Sequence, residues 1–237
     1  MIGCLVEWYK LQLRDLKVDV RLNSEADEAT VNALHPDALI LAAGAHYIKR
    51  IPGSDGANVI NAYDALTNPA QVGKRIVIIG GGASGAETAD YFSGPSVELR
   101  VIVAEQLGGE LKFRSTEIAP KNDRDISILE MLPEICADQD VFCKDVMLAT
   151  LRANGAHMHP GCRVEGIEAD GVRAYDMAAE KEIFLPADTV ILAGGLRSNA
   201  EDAFQDAAYP VIRVGDAIRA GKIHAAIYTA YCAARSL

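Results

Sequence analysis

The sequence predicts an α/β fold built on a parallel sheet, and three observations carry that prediction. Ile76 to Ile79 is an unbroken apolar run of strand length that passes into Gly80-Gly81-Gly82 and then a helical stretch. Two more apolar strands, Asp37–Ala42 and Asp188–Ala193, run into similar glycine turns, Ala43-Gly44 and Gly194-Gly195. The 20 glycines, with half of the residues hydrophobic, suit a fold rich in tight strand-to-helix turns.

Each element can be justified in chain order. Residues 3–16 mix apolar positions with Glu7, Lys10, Arg14 and Asp15, which reads as an amphipathic helix. Val18 to Leu22 alternates like a short strand. Ser24 to Leu34 reads as a polar helix or turn, with Ser24 available as N-cap and Asp27 and Glu28 suited to the first turn. After strand Asp37–Ala42, Ile51-Pro52-Gly53-Ser54-Asp55-Gly56 is a turn and linker signal.

The helix after the Ile76–Ile79 strand starts near Ser84 and ends about Ser93, and Val97 to Ala104 reads as another buried strand. Residues 106–138 show no clear period, and Gly108, Gly109, Pro120 and Pro133 mark much of this stretch as loop. Asp140 to Ala153 reads as a helix closed by Gly155. Short strands follow at Ala156–His159, Arg163–Ala169, Val172–Tyr175 and Lys181–Leu185, ahead of Asp188–Ala193. A last strand leads from Pro210 into Gly215-Asp216, and a helix from about Gly221 to Ala234 closes the chain. These patterns divide the chain into a first lobe (1–72), a middle domain (73–195) and a return to the first lobe (196–237).

The chemistry concentrates at residues 80–85. Gly80, Gly82 and Gly85 fill the glycine positions of G-x-G-x-x-G, with a strand before and a helix after. The first glycine permits the tight turn, the second lets the backbone approach a pyrophosphate, and the third lets helix and strand pack closely. Free N–H groups at the helix start face the phosphates, and the helix dipole favours their charge. The expected dinucleotide cradle is therefore Gly80, Gly81, Gly82, Ala83, Ser84 and Gly85. Glu105 stands about 20 residues beyond Gly85, where a carboxylate can accept hydrogen bonds from ribose hydroxyls. A carboxylate there repels a 2′-phosphate, so NAD(H) is expected rather than NADP(H). The bland alternative makes Glu105 a solvated residue after a strand.

Composition excludes several classes. A net charge of −10 disfavours non-specific nucleic-acid binding. No apolar run approaches the roughly 20 residues that cross a bilayer, and residues 1–16 do not read as a signal peptide. Cys4, Cys136, Cys143, Cys162 and Cys232 lack C-x-x-C spacing, which suits a reducing cytoplasm and argues against a dithiol or iron–sulfur centre here. His157 and His159 can share one face of a strand, but no further ligand follows in a metal-binding pattern, so no metal is expected.

Taken together, Asp37…Ala43-Gly44, Pro52-Gly53, Gly80–Glu87, Glu105, Asp188…Gly195 with Arg197 and Asn199, and Gly215-Asp216-Ala217 form an ordered series. It resembles the flavoprotein reductases with two dinucleotide-binding domains, within the pyridine nucleotide-disulfide oxidoreductase-like superfamily. The nearest resemblance is to the C-terminal reductase region of the Old Yellow Enzyme-like NADH:flavin oxidoreductases, the group of 2,4-dienoyl-CoA reductase, enoate reductase and trimethylamine dehydrogenase. The short gap from Asn199 to Gly215 and the run Lys222-Ile-His-Ala-Ala-Ile227 carry that narrower likeness.

The resemblance implies a Rossmann-like NAD(P)-binding domain with a parallel sheet, plus an incomplete FAD-type Rossmann-like lobe. It implies that Glu87 lies near the nicotinamide and that Ala193, Gly194, Gly195, Ala43 and Gly44 line cofactor turns, with Gly215 and Asp216 facing FAD. The family's earlier glycine fingerprint, its ribose acid and the FMN barrel are not in this sequence, so the chain reads as a C-terminal fragment, with FAD expected in the intact parent. Two functions follow as expectations. In one, the chain is a reductase module in which NADH passes hydride to FAD, with no catalytic acid–base residue of its own. In the other, it is a non-catalytic dinucleotide-binding module that needs a flavin-bearing partner chain or a second copy of itself.

Overall fold

The computed structural model describes residues 2–48, 50–94, 123–199 and 202–237. In chain order its first elements are α1 (Ile2–Asp15), α2 (Glu28–Asn32), β1 (Leu39–Leu41), β2 (Ala45–Tyr47), β3 (Val59–Asn61) and α3 (Ala62–Thr67). Next come β4 (Arg75–Ile79), α4 (Ala83–Ser93), β5 (Asp125–Glu130), α5 (Val141–Ala153) and β6 (His157–Pro160). The chain finishes with β7 (Cys162–Glu168), β8 (Gly171–Asp176), β9 (Lys181–Pro186), β10 (Thr189–Leu192), β11 (Leu196–Ser198), β12 (Val211–Arg213) and α6 (Ile223–Ser236). Two units emerge, one of residues 1–44 with 198–237 and one of residues 45–197.

The larger unit holds a five-stranded parallel sheet in the order β3-β10-β4-β5-β6. Its pleat sends alternate residues of β4 to opposite faces. Ile76 and Ile78 point into a core with Ala86, Ala89 and Phe92 of α4 and Leu151 of α5. Val77 joins Val190 and Leu192 of β10 against Val172 and Ala174 of β8. Strands β7, β8 and β9 form an antiparallel sheet that covers this second face. Burial on both sides explains why β4 and β10 read as continuous apolar runs. Each fully buried Ile or Phe contributes roughly 1.5–3 kcal/mol, so the sheet centre is where stability is concentrated.

Helix ends follow local chemistry. The Asp140 side chain accepts from Cys143 N–H at 3.1 Å and caps α5, and Gly155, with φ +78°, turns the chain out of that helix. Asn61 caps α3 by accepting from Asp64 N–H at 2.8 Å. Gly94, at φ +124°, ends α4.

The smaller unit has a thin core. Its two strands pair in parallel, Leu39 opposite Val211 and Leu41 opposite Arg213. Val31, Phe204, Val214, Ala217 and Ala233 are its buried hydrophobic residues. On α1, Leu5, Trp8 and Tyr9 are exposed, as are Ile223, Ile227 and Tyr228 on α6.

Several sequence expectations are corrected. Residues 18–22 form no strand, because their alternation finds no ladder partner among the described residues. Asp27, not Ser24, is the N-cap of α2 and accepts from Thr30 N–H at 2.7 Å. Within the stretch 106–138, expected to be largely loop, residues 125–130 form β5, the partner of β4 from Arg75↔Asp125 to Ile79↔Leu129. Residues 45–72 fall in the larger unit, whereas the sequence reading grouped them with the first lobe; β3, paired with β10, is the reason. The expected strand Val97–Ala104 and Glu105 lie outside the described residues.

Candidate functional site

The carboxyl ends of β4 and β10 meet at the glycine turn, the place where open α/β sheets hold ligands. Gly80 has φ +107°, and a Cβ there would stand 3.0 Å from the Gly194 backbone nitrogen. Both the left-handed conformation and the close approach of the two turns require glycine. Gly85 is tighter still, since a Cβ on it would lie 1.8 Å from the Gly80 carbonyl oxygen. The third fingerprint glycine thus lets α4 sit directly on the turn that precedes it.

Gly82 is the N-cap of α4, at φ −71°, and its carbonyl accepts the first helical bond from Ala86 N–H at 3.0 Å. The nearest group to a Cβ on Gly82 would be the Asp138 carboxylate, at 3.3 Å. Ala83 N–H, at the helix start, donates to Asp138 Oδ1 at 2.9 Å. Ser84 and Glu87 are exposed on the first turns of α4. Ala193 N–H donates to Ile79 O at 2.9 Å, which holds the second glycine turn beside the first, and Gly195 takes φ +76°. Gly80, Gly81, Gly82, Ala83, Ser84, Gly85, Ala193, Gly194 and Gly195 are therefore brought together around one pair of adjoining turns.

The remaining predicted positions lie in the smaller unit. Ala43 and Gly44 follow β1, and Gly215 and Asp216 follow β12, so both pairs stand at the carboxyl ends of adjacent parallel strands. Asn199 ties down the first pair, its side chain donating to Ala43 O at 2.8 Å and its N–H to Gly44 O at 3.0 Å. Gly215 N–H donates to Thr229 Oγ1 at 2.8 Å, and Asp216 Oδ1 accepts from Gly221 N–H at 3.0 Å.

Two residues escaped sequence reasoning. Glu130 ends β5, the strand next to β4, and its Oε2 accepts from Gly81 N–H at 2.6 Å. Its Oε1 accepts from Leu132 N–H at 2.7 Å, which fixes the carboxylate at the mouth of the turn. Asp138, on the loop after β5, is the other. The signal for Glu130 was present as the acid closing Ile126-Ser-Ile-Leu-Glu130, an alternating run ahead of Pro133.

Beneath the turn, Cys136 N–H donates to Gly81 O at 2.7 Å, and the Cys136 side chain is fully buried. Burial pushes its thiol pKa up, so it is a packing residue held in the neutral form. A separate cavity of about 620 Å³ lies at the ends of β3 and β10, lined by His46, Tyr47, Asn61, Tyr63, Asp64 and Leu192 among others. Burial first, and the Asp64 charge second, raise the Tyr47 pKa there. Among the described residues no cluster of three or more His, Cys, Asp or Glu side chains could hold a metal, and no helix is long and apolar enough to cross a membrane.

Parallel sheet, paired glycine turns and a strand-end acid define a dinucleotide-binding oxidoreductase fold. The chain belongs to the pyridine nucleotide-disulphide oxidoreductase family, whose model matches residues 6–221. It is 32% identical over 230 residues to the bilirubin reductase of Mediterraneibacter gnavus, covering 95% of this chain and 31% of that protein. It is 33% identical over 229 residues to the metal reductase of Desulforamulus reducens, covering 92% of this chain and 34% of the relative. An NADH oxidase of Thermoanaerobacter brockii is 28% identical over 95% of this chain and 32% of its own length. The chain thus spans about a third of the length of these relatives. Among solved structures, a 2-naphthoyl-CoA reductase complex shares the fold with a TM-score of 0.73 and 24% identity, over 96% of this chain and 31% of that one.

Proposed function

We propose that this chain is the NADH-binding reductase module of a larger flavin-dependent oxidoreductase of the Old Yellow Enzyme-like group. One observation carries the reading: the strand-end carboxylate of Glu130 is bonded to the fingerprint backbone at Gly81. On this reading the contact supports Glu130 as a ribose acceptor beside a turn that would take the pyrophosphate. The residues fit an anion, because Ala83 N–H lies at a helix start, where N–H groups favour negative charge, and already holds the Asp138 carboxylate there. NADH, if held by these residues, would supply a hydride for a flavin of the larger protein; the chain's own part would be to bind and orient it. Glu130 would hold the adenosine ribose hydroxyls and disfavour a 2′-phosphate, selecting NADH. The turn at Ala193-Gly194-Gly195 would border the nicotinamide half. That three relatives are a bilirubin reductase, a metal reductase and an NADH oxidase, each about three times longer, supports a shared reductase module serving different acceptors.

Calorimetric titration with NADH and NADPH tests the reading. Saturable NADH binding, stronger than NADPH binding, is expected; no binding of either ends the proposal. Addition of FAD with an artificial dye then separates two forms of it. NADH-dependent dye reduction marks a self-sufficient module.

Binding without reduction favours the second reading, a binding module that needs a flavin-bearing chain. The exposed apolar residues of α1 and α6 support that alternative.

A further inference from the structure

The phosphate cradle of the larger unit already holds an anion, and it belongs to the protein. Ala83 N–H, the first donor of α4 and the group best placed for a pyrophosphate oxygen, is bonded to Asp138 Oδ1 at 2.9 Å. The same carboxylate lies over Gly82, at 3.3 and 3.4 Å from where a Cβ would stand. Both the fingerprint donor and the glycine gap are therefore covered by Asp138.

We infer that Asp138 is an internal stand-in for the dinucleotide phosphates, an autoinhibitory contact that the cofactor must displace. The inference rests on the NADH-binding reading above and deepens it. A carboxylate and a phosphate compete for the same helix-start N–H, because each is an anion satisfying one orphan donor in the same dipole field. They cannot share it, since two negative groups at one donor repel each other.

The loop is built to let this one side chain go. On its inner side it is anchored by Ile135 and Cys136, both buried in the sheet core, and by the Cys136 N–H to Gly81 O bond. On its outer side Asp140 is fixed as the cap of α5. Between the anchors stand only Ala137, Asp138 and Gln139, of which the first two are exposed. The turn is tight: Cys136 takes φ +58°, unusual for a side-chain-bearing residue, and Gln139 N–H folds back to Cys136 O at 3.1 Å. Gln139 Oε1 is buried with no hydrogen-bond partner among the described residues. Asp138 is thus an exposed carboxylate on a three-residue span between two anchors, beside the unsatisfied Gln139 Oε1.

The test compares wild type, D138A and D138N by calorimetric titration with NADH and by competition with inorganic pyrophosphate. Thermal unfolding of all three checks the fold. D138N keeps an acceptor for the Ala83 N–H and loses the charge, so it preserves that hydrogen bond while removing the repulsion between carboxylate and phosphate. Since a hydrogen bond to a charged group is worth about 1.4 kcal/mol or more, D138A is expected to bind NADH about tenfold tighter. D138N should bind several-fold tighter, and pyrophosphate should compete better in both variants. NADH binding at the wild-type constant, or weaker binding, in D138N with an unchanged melting temperature overturns the inference. If none of the three proteins binds NADH, the nucleotide reading falls and takes this inference with it. Binding by all three with one constant removes only the inference.

Discussion

Glu130 Oε2 accepts a hydrogen bond from the Gly81 backbone N–H at 2.6 Å, joining the end of β5 to the turn at the end of β4. The bond couples two elements separated by 49 positions in the sequence, and on the function proposed above the acid would lie beside an adenosine ribose. Glu130 and Glu105 are thus rival ribose acids, one reached by geometry and one by counting.

Variants at these acids separate the two. E130Q, which keeps an acceptor for Gly81, is expected to weaken NADH binding about tenfold and to improve NADPH relative to NADH. E105Q is expected to leave both constants unchanged. Fluorescence titration with each nucleotide checks this, and the opposite pattern would return the ribose role to Glu105.

Gly85 tests packing instead of binding. A Cβ there would stand 1.8 Å from the Gly80 carbonyl oxygen and 3.0 Å from its carbon, backbone atoms that cannot swing aside as a flexible side chain would. G85A is expected to destabilise the larger unit by about 1–3 kcal/mol or more, read as a lowered melting temperature in circular dichroism. A melting curve like that of the wild type would show that α4 does not sit on the turn.

The glycine turn, α4, α5 and the β7–β9 hairpins were legible because their signals are local. Apolar runs, an Asp140 cap and a left-handed Gly155 need no distant partner to be recognised. Strand β5 was missed because Asp125-Ile-Ser-Ile-Leu-Glu130 alternates in polarity inside a long aperiodic stretch. Only its ladder with β4, residue 75 opposite 125, reveals it as the neighbouring strand. The segment 18–22 fails in the opposite sense: it has strand periodicity, but pairing supplies the hydrogen bonds that periodicity only promises. Asp138 could not be found by pattern, since its approach to Ala83 depends on a left-handed turn at Cys136, a residue whose type does not signal one.

Gly82 distinguishes a binding defect from a folding defect. Its φ of −71° is open to any L-residue, and the nearest atoms to its Cβ would be those of the exposed Asp138 side chain. G82V is therefore expected to keep a near-native melting temperature while filling the space a pyrophosphate needs, abolishing measurable NADH binding. Unchanged affinity would remove residues 80–85 from the site.

The pair Arg75 and Asp188 gives the unit a predictable acid response. Asp188 accepts from Arg75 N–H at 2.9 Å and from the guanidinium Nε at 3.0 Å, bracing the start of β10 against the start of β4. The Arg75 side-chain hydrogen bond, followed by its backbone N–H, lowers the Asp188 pKa from 3.8 to about 2. The folded state thus binds the proton less readily than the unfolded chain, so this contact stabilises the fold fully above pH 4 and fades as pH falls through about 2. The side chain is 37% exposed, so solvent and salt screen the effect. D188N should melt at a lower temperature than wild type at pH 7, and the gap should close between pH 4 and pH 2. A gap that stays constant across that window would mean that Asp188 acts through its hydrogen-bonding shape and not through its charge.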